Sequence, residues 1–475
     1  MAEFFGQGEG CGRVELFGAM GGKAEGRATE GCGEHGDGGG IGAEMPMDMR
    51  VAEALAAGGE IGGLDEVDQV FEPARPGTCP ARACTEGEAE GFEALCGVAE
   101  HTRHLEHKFA DRSLHVVPGQ DGLGRLYFGD KKIGMMRVTQ TDYTGTPGSR
   151  REFFQGLVDD GGWRQTDVIN AHDHPPMMQK AARLALMDEQ GIEATLLFPS
   201  VAVAVEHEMH DDPEAMLAGL RAFNRWLEED WGFGADRRIY AAPMISLIDP
   251  AEAVLELRRV IELGARLVHV RRGPWYGQSP ASPALDGFWG LCQETGIPVA
   301  FHVGDAGYRE MWATAWGEDP RTPIQHASAF GTYLADTAAP DTFANLIFNN
   351  LFERFPRLSI LSIENGSYWV PGLLKKLDKF AALGRAGTGL GGKFTAKASE
   401  LFQRHFYVCP FFEEDPLDAA EAIGVDHVLF GSDWPHPEGL AEPLEFAEKL
   451  VSRLPDTQVD RVMFDNIAEL IGHPR

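Results

Sequence analysis

The chain has 475 residues and a net charge of -31, from 73 acidic and 42 basic side chains. A field of that sign repels nucleic acid and anionic lipid, so neither is an expected partner, and no apolar run reaches the roughly 18 residues that a membrane span needs. An apolar content of 43% supplies a sizeable core. The opening residues, MAEFFGQGEGCG, show no basic or apolar targeting region, so the seven cysteines read as reduced thiols of a cytoplasmic protein.

The first hundred residues differ from the rest. They hold 23 of the 58 glycines, five of the seven cysteines and no Trp or Tyr, with 20 acids against 6 bases. Such a composition offers little area to bury against a high ordering cost, so residues 1–102 are read as a low-complexity, disordered segment. Residues 103–475 read as one folded domain, opening with an extended insertion with some β-ribbon over 103–176. Helices and strands then alternate. A helix over 177–190 stops at Gly191, ATLLFP (194–199) is a strand, 213–229 a helix and IYAAPMIS (239–246) a strand. Asp249 caps a helix over 250–263, followed by the strand RLVHV (266–270) and a helix over 285–295. The strands PVAFHV (298–303), LSILSI (358–363), FYVCP (406–410) and HVLFGS (427–432) follow, with helices between them and two more at the C-terminal end.

Short apolar strands separated by helices predict a parallel sheet buried on both faces. Seven strands are clear, and DVIN (167–170) is a brief eighth. The fold class is α/β, a (β/α)8 TIM barrel whose first strand is missing or replaced.

Barrel chemistry gathers at the C-terminal ends of strands, which singles out His302, Glu364 and Asp433. Imidazole and carboxylates converging there suit a divalent metal ion, Zn2+ being the expected one. A carboxylate beside such an ion can take a proton from metal-bound water.

FHVGD (301–305), LSIENGSYWVPGLLKKLDKF (361–380) and LFGSDWPHPEG (429–439) resemble the amidohydrolase-related family that includes aminocarboxymuconate-semialdehyde decarboxylase. MDEQGIEATLLFPS (187–200), AFNRWLEEDWGF (222–233) and DRRIYAAPMISLID (236–249) extend the likeness. The resemblance implies a (β/α)8 barrel and a metal-dependent hydrolase or nonoxidative decarboxylase. It makes Asp433 the metal-side aspartate and His302 the fifth-strand histidine ligand. Where decarboxylases of the family usually carry His-Gly-Gly, this chain has Glu364-Asn365-Gly366. The first-strand Asp-x-His expected ahead of HTRHLEHKFADR (101–112) is missing, and VDQVFEP (67–73) echoes it only by chance. Residues 1 to about 100 are therefore expected not to be the ancestral N-terminus. NAHDHPP (170–176) offers His172 and His174 as a substitute pair of metal ligands.

The site expected from these readings has Asp433 and Glu364 as catalytic groups and His302, Asp433, His172 and His174 as metal ligands. Trp434, His436 and Arg271 are its substrate contacts, Arg271 meeting a substrate carboxylate. The expected activity is metal-dependent hydrolysis of a small, carboxylate-bearing organic substrate, with Asp433 as base. The alternatives are decarboxylation, with Asp433 or Glu364 handling the proton, and a non-catalytic barrel without its first-strand ligands. A homodimer is left open.

Overall fold

A computed structural model describes residues 100–119, 124–134, 143–154, 168–322, 327–383 and 394–474. The segment expected to be disordered lies outside the described residues, except for its last three positions, as does the GRAGTGLGG loop (384–392).

The expected β-ribbon is present. Strands β1 (Leu114–Pro118) and β2 (Gly124–Phe128) pair antiparallel, Leu114 opposite Phe128, and β3 (Lys131–Lys132) adds to the edge. Strand β4 (Tyr143–Gly145) pairs antiparallel with β5 (Val168–Asn170). That pairing corrects one expectation: DVIN forms a strand, but β4 occupies its edge, and among the described residues it does not join the parallel set.

The seven remaining strands lie side by side in sequence order. Strand β6 (Thr195–Leu197) pairs parallel with β7 (Ile239–Ala241), and a bridge from Met244 to His269 leads to β8 (Val268–His269). Strands β9 (Val299–His302), β10 (Ile360–Ile363) and β11 (Phe406–Val408) follow, all parallel. The seventh segment is reduced to one bridge, Val408 to Val428. It ends early because the Phe430 amide turns away to the Val462 carbonyl, 3.1 Å off. Every residue of β7, β8 and β9 is buried, as expected for strands covered on both faces.

Helix starts follow an Asp-Pro rule. Asp212, Asp249 and Asp415 each precede a proline at the first turn, and each carboxylate accepts from a backbone amide there. The expected helix over 177–190 is divided into Pro175–Met178 and Lys180–Glu189, with Gln179 extended between them. The helix Ala398–His405 has no counterpart in the sequence reading. No helix among the described residues is long and apolar enough to cross a membrane.

Phe343, fully buried, sits among Phe301, Trp369 and Phe406 at ring separations of 5.8, 5.5 and 5.1 Å. This cluster ties the helix Ala338–Phe348 to β9 and β11. Phe343→Ala should cost about 3–5 kcal/mol in chemical denaturation; a loss below about 1 kcal/mol would mean the cluster does not anchor the sheet. His405 is buried against Phe352, its Nδ1 donating to the Leu358 carbonyl, and burial lowers its imidazole below the ordinary 6.5. The unfolded chain therefore takes the proton first. Stability is unaffected above about 6.5 and falls below it, by at most about 1.4 kcal/mol per pH unit from this group. Denaturation midpoints should decline from pH 7 to pH 5.5, and less steeply in His405→Phe.

Candidate active site

The register of the sheet assembles the site. His302 ends β9 opposite Ile363, so Glu364 is the first residue beyond the neighbouring strand. Glu364 adopts a left-handed backbone, φ 52°, which turns its carboxylate back over the strand ends. His302 Nε2 and Glu364 Oε2 lie 2.9 Å apart, while His302 Nδ1 is 2.7 Å from the Val303 carbonyl. A carbonyl only accepts, so Nδ1 carries the hydrogen. The opposite nitrogen then faces a carboxylate with a lone pair, unless a second proton or a cation supplies positive charge.

Asp433 follows the last strand segment, also in a left-handed backbone at φ 54°, and the peptide Trp434–Pro435 is cis. The loop then closes on itself: the His436 amide donates to the Asp433 carbonyl at 2.9 Å and the Leu440 amide to the Ser432 carbonyl at 2.8 Å. Gly439 is required in this turn, since a Cβ there would lie 2.5 Å from the Ser432 carbonyl oxygen. The insertion backs the loop from outside, the Arg150 amide donating to the Pro437 carbonyl at 2.9 Å. Glu364, Asp433, His436 and Glu438 each place one ligand atom within 4.8 Å of the others. His436 Nδ1 donates to Asp433 at 2.9 Å.

Charge is shared unevenly across this cluster. Burial and then Glu364 push the Asp433 carboxyl up to about 6. Burial lowers the His436 imidazole, but Asp433 and Glu364 outweigh it and hold it at about 10. Burial raises Glu364, and the His302 ring more than reverses that, leaving it below the usual carboxylate range. Three carboxylates packed this closely repel one another, and a divalent cation among them removes the conflict. The donor set and the unpaired Glu364 Oε2 both fit such an ion.

Arg272 and Asn365 fix the cluster from behind. The Asn365 side chain donates to the Phe301 and Ile363 carbonyls at 2.8 and 2.9 Å and accepts from Arg272 Nη1 at 2.7 Å. It thereby ties β9 to β10 at the residues immediately preceding His302 and Glu364. Gly304 lets the chain leave β9 tightly: a Cβ there would sit 2.3 Å from the Val203 carbonyl oxygen.

Of the residues expected from sequence, the structure brings His302, Glu364, Asp433 and His436 together. His174 is exposed ahead of the helix Pro175–Met178 and outside the cluster; the His172 side chain lies outside the described ones. Arg271 is 2% exposed and turns its two terminal nitrogens onto the Arg272 and Pro274 carbonyls. Those donors hold its own loop rather than meeting the cluster. Trp434 stacks under the Arg183 guanidinium, 3.9 Å from the ring centroid. Sequence reasoning assigned no role to Glu438, Asn365, Arg183 or His269. Glu438 and Asn365 sit inside motifs already singled out, whereas Arg183 is one arginine on a helix and carries no local signal.

An amidohydrolase family model matches residues 167–472. Gamma-resorcylate decarboxylase of Rhizobium radiobacter is 27% identical over 291 residues, covering 59% of this chain and 84% of that protein. A crystal structure of an amidohydrolase from Mycobacterium avium subsp. paratuberculosis K-10 superposes with a TM-score of 0.71 at 36% identity, covering 81% of this chain and 97% of the other. A 5-carboxyvanillate decarboxylase from Sphingomonas paucimobilis shares the fold at a TM-score of 0.50 and 21% identity, over 62% and 82% of the two chains.

The close approach at Gly304 has a measurable consequence. Gly304→Ala should destabilise the chain by about 1–3 kcal/mol through overpacking against Val203, and weaken divalent-cation binding because His302 is displaced with the strand end. Unchanged melting and unchanged cation affinity together would show that this approach does not set the site.

Proposed function

The chain belongs to the amidohydrolase family, and from that premise we propose that it is a divalent-cation-dependent, nonoxidative decarboxylase of aromatic carboxylates. The arc of seven parallel segments is then the larger part of a (β/α)8 barrel with the cluster at its mouth. The observation that carries the reading is the cluster itself: Glu364, Asp433, His436 and Glu438 gathered within 4.8 Å of one another, with burial raising the Asp433 carboxyl above its ordinary range. The curated relatives named for gamma-resorcylate decarboxylation support this reading over hydrolysis, which the sequence alone favoured.

His302, Glu364 and Glu438 would hold the ion, with Asp433 and His436 on its edge. Two carboxylates to one imidazole, with a third carboxyl beside them, form a mainly oxygen donor set, which favours Mn2+ or Mg2+ over the Zn2+ expected from sequence. The bound ion would fix the substrate carboxylate and withdraw charge from it. Asp433, protonated for part of the time near neutral pH, delivers its proton to the ring carbon that bears the carboxylate. The carbon–carbon bond then breaks, its electron pair restores the ring, and CO2 leaves. The His436 imidazolium, hydrogen-bonded to Asp433, steadies the carboxylate that remains. Arg272 and Asn365 keep Glu364 in place throughout.

The test is CO2 release from a panel of aromatic acids, gamma-resorcylate first, with and without added Mn2+. Turnover should disappear with chelator, and Asp433→Asn should lower kcat by about 10²–10⁴-fold while changing KM little. Hydrolysis of esters or amides with no CO2 from any acid in the panel would overturn the proposal.

A further inference from the structure

His269 lies outside the cluster described above, yet the sheet aims it at the same place. In register, His269 pairs with Ala300, and Ala300 and His302 share one face of β9 because side chains alternate along a strand. His269 therefore projects to the same side as His302, one layer deeper. It is 1% exposed, and neither ring nitrogen has a hydrogen-bond partner among the described residues. An imidazole always carries at least one N–H and one lone pair or a second N–H, and leaving these buried and unpaired costs about 1–3 kcal/mol. Phe198 closes off the pair from one side, 6.4 Å from the His269 ring and 5.0 Å from the His302 ring.

The two imidazoles stand edge to face with centroids 6.1 Å apart. A ring bonded through nitrogen to a divalent ion at about 2.1 Å has its centroid about 3.2 Å from that ion, so two rings on one ion sit about 5–6 Å apart. The observed separation lies just beyond that range, and neither ring belongs to the group whose ligand atoms gather within 4.8 Å, so a bound ion would draw the two rings inward. His174, another imidazole expected to serve as a ligand, is exposed elsewhere.

We propose that His269 is a metal-holding residue, forming with His302 an imidazole pair drawn from two adjacent strands. The inference rests on the cation-dependent reading above. It would give the ion two nitrogens from beneath, with Glu364 and its neighbouring carboxylates above. One ion would thereby satisfy the orphaned His269 ring and the unbalanced His302–Glu364 contact.

Metal binding to the full-length chain, stripped with chelator and retitrated with Co2+ or Mn2+, tests this without reference to turnover. His269→Gln should weaken binding at least tenfold, while His405→Gln, which alters a buried histidine elsewhere, should leave it unchanged. Pulsed EPR of the Cu2+-loaded chain counts coordinated imidazoles. In His436→Gln, which removes the other nearby ring, two imidazoles should remain; a single one overturns the proposal even where His269→Gln fails to fold. Wild-type affinity in a folded His269→Gln chain overturns it too and leaves the cation-dependent reading intact. A wild-type chain that binds no divalent ion removes both.

Discussion

The contact between His302 and Glu364 is the constraint on which the rest of the site turns. One nitrogen of the ring is committed to a backbone carbonyl, so the other meets Glu364 across 2.9 Å, a contact that needs a proton or a cation between the two groups. In a half-buried setting such an arrangement is stable only with positive charge between or beside the two groups. The neighbouring carboxylates raise the demand for that charge, and the proton shared by Asp433 and His436 meets only part of it. In the proposed reading a cation completes the site, and proton transfer at Asp433 is the chemistry left to the protein.

Holding four ionisable groups so close requires a rigid frame, and this one is built from backbone rather than bulk. Asn365 uses its amide to bind carbonyls on two strands and its oxygen to accept from Arg272. Arg272 is 3% exposed and lowered to about 10 by burial, still a cation at neutral pH. It adds fixed positive charge behind Glu364 without reaching the ion site. The glycines at 304 and 439 let neighbouring segments pass closer than any side chain permits. Positional precision of this kind separates a catalytic cluster from a chance gathering of acids.

Much of this was legible in the residues. Strand ends followed by His302, Glu364 and Asp433 mark one edge of the parallel set, because apolar runs show where strands stop and parallel order shows which ends lie together. The Asp-Pro helix starts were equally readable, since a cap acts within a few residues. What escaped was long-range. DVIN reads as a brief eighth strand, and Val168–Asn170 is one, but it pairs with Tyr143–Gly145 and not with the parallel set among the described residues. His172 and His174 alternate like ligands on a strand, but the structure turns that segment into a short helical turn over Ala171–Asp173. Arg271 carries the right charge in the right loop, yet its two terminal nitrogens are turned onto the Arg272 and Pro274 carbonyls. Pairing and saturation of donors are decided by tertiary partners, which no local pattern contains.

The stack of Arg183 on Trp434 joins the helix Lys180–Glu189 to the loop that carries Asp433. Arg183 also donates to the Pro176 carbonyl at 2.7 Å, so the guanidinium clamps the start of the helical region and the loop as one unit. The residues that steady Asp433 from this side thus begin at Pro176, well inside the chain. Upstream of that clamp the Arg150 amide holds the same loop at the Pro437 carbonyl, so two separate stretches of chain grip it. Sequence drift in either stretch is transmitted to the loop that carries Asp433.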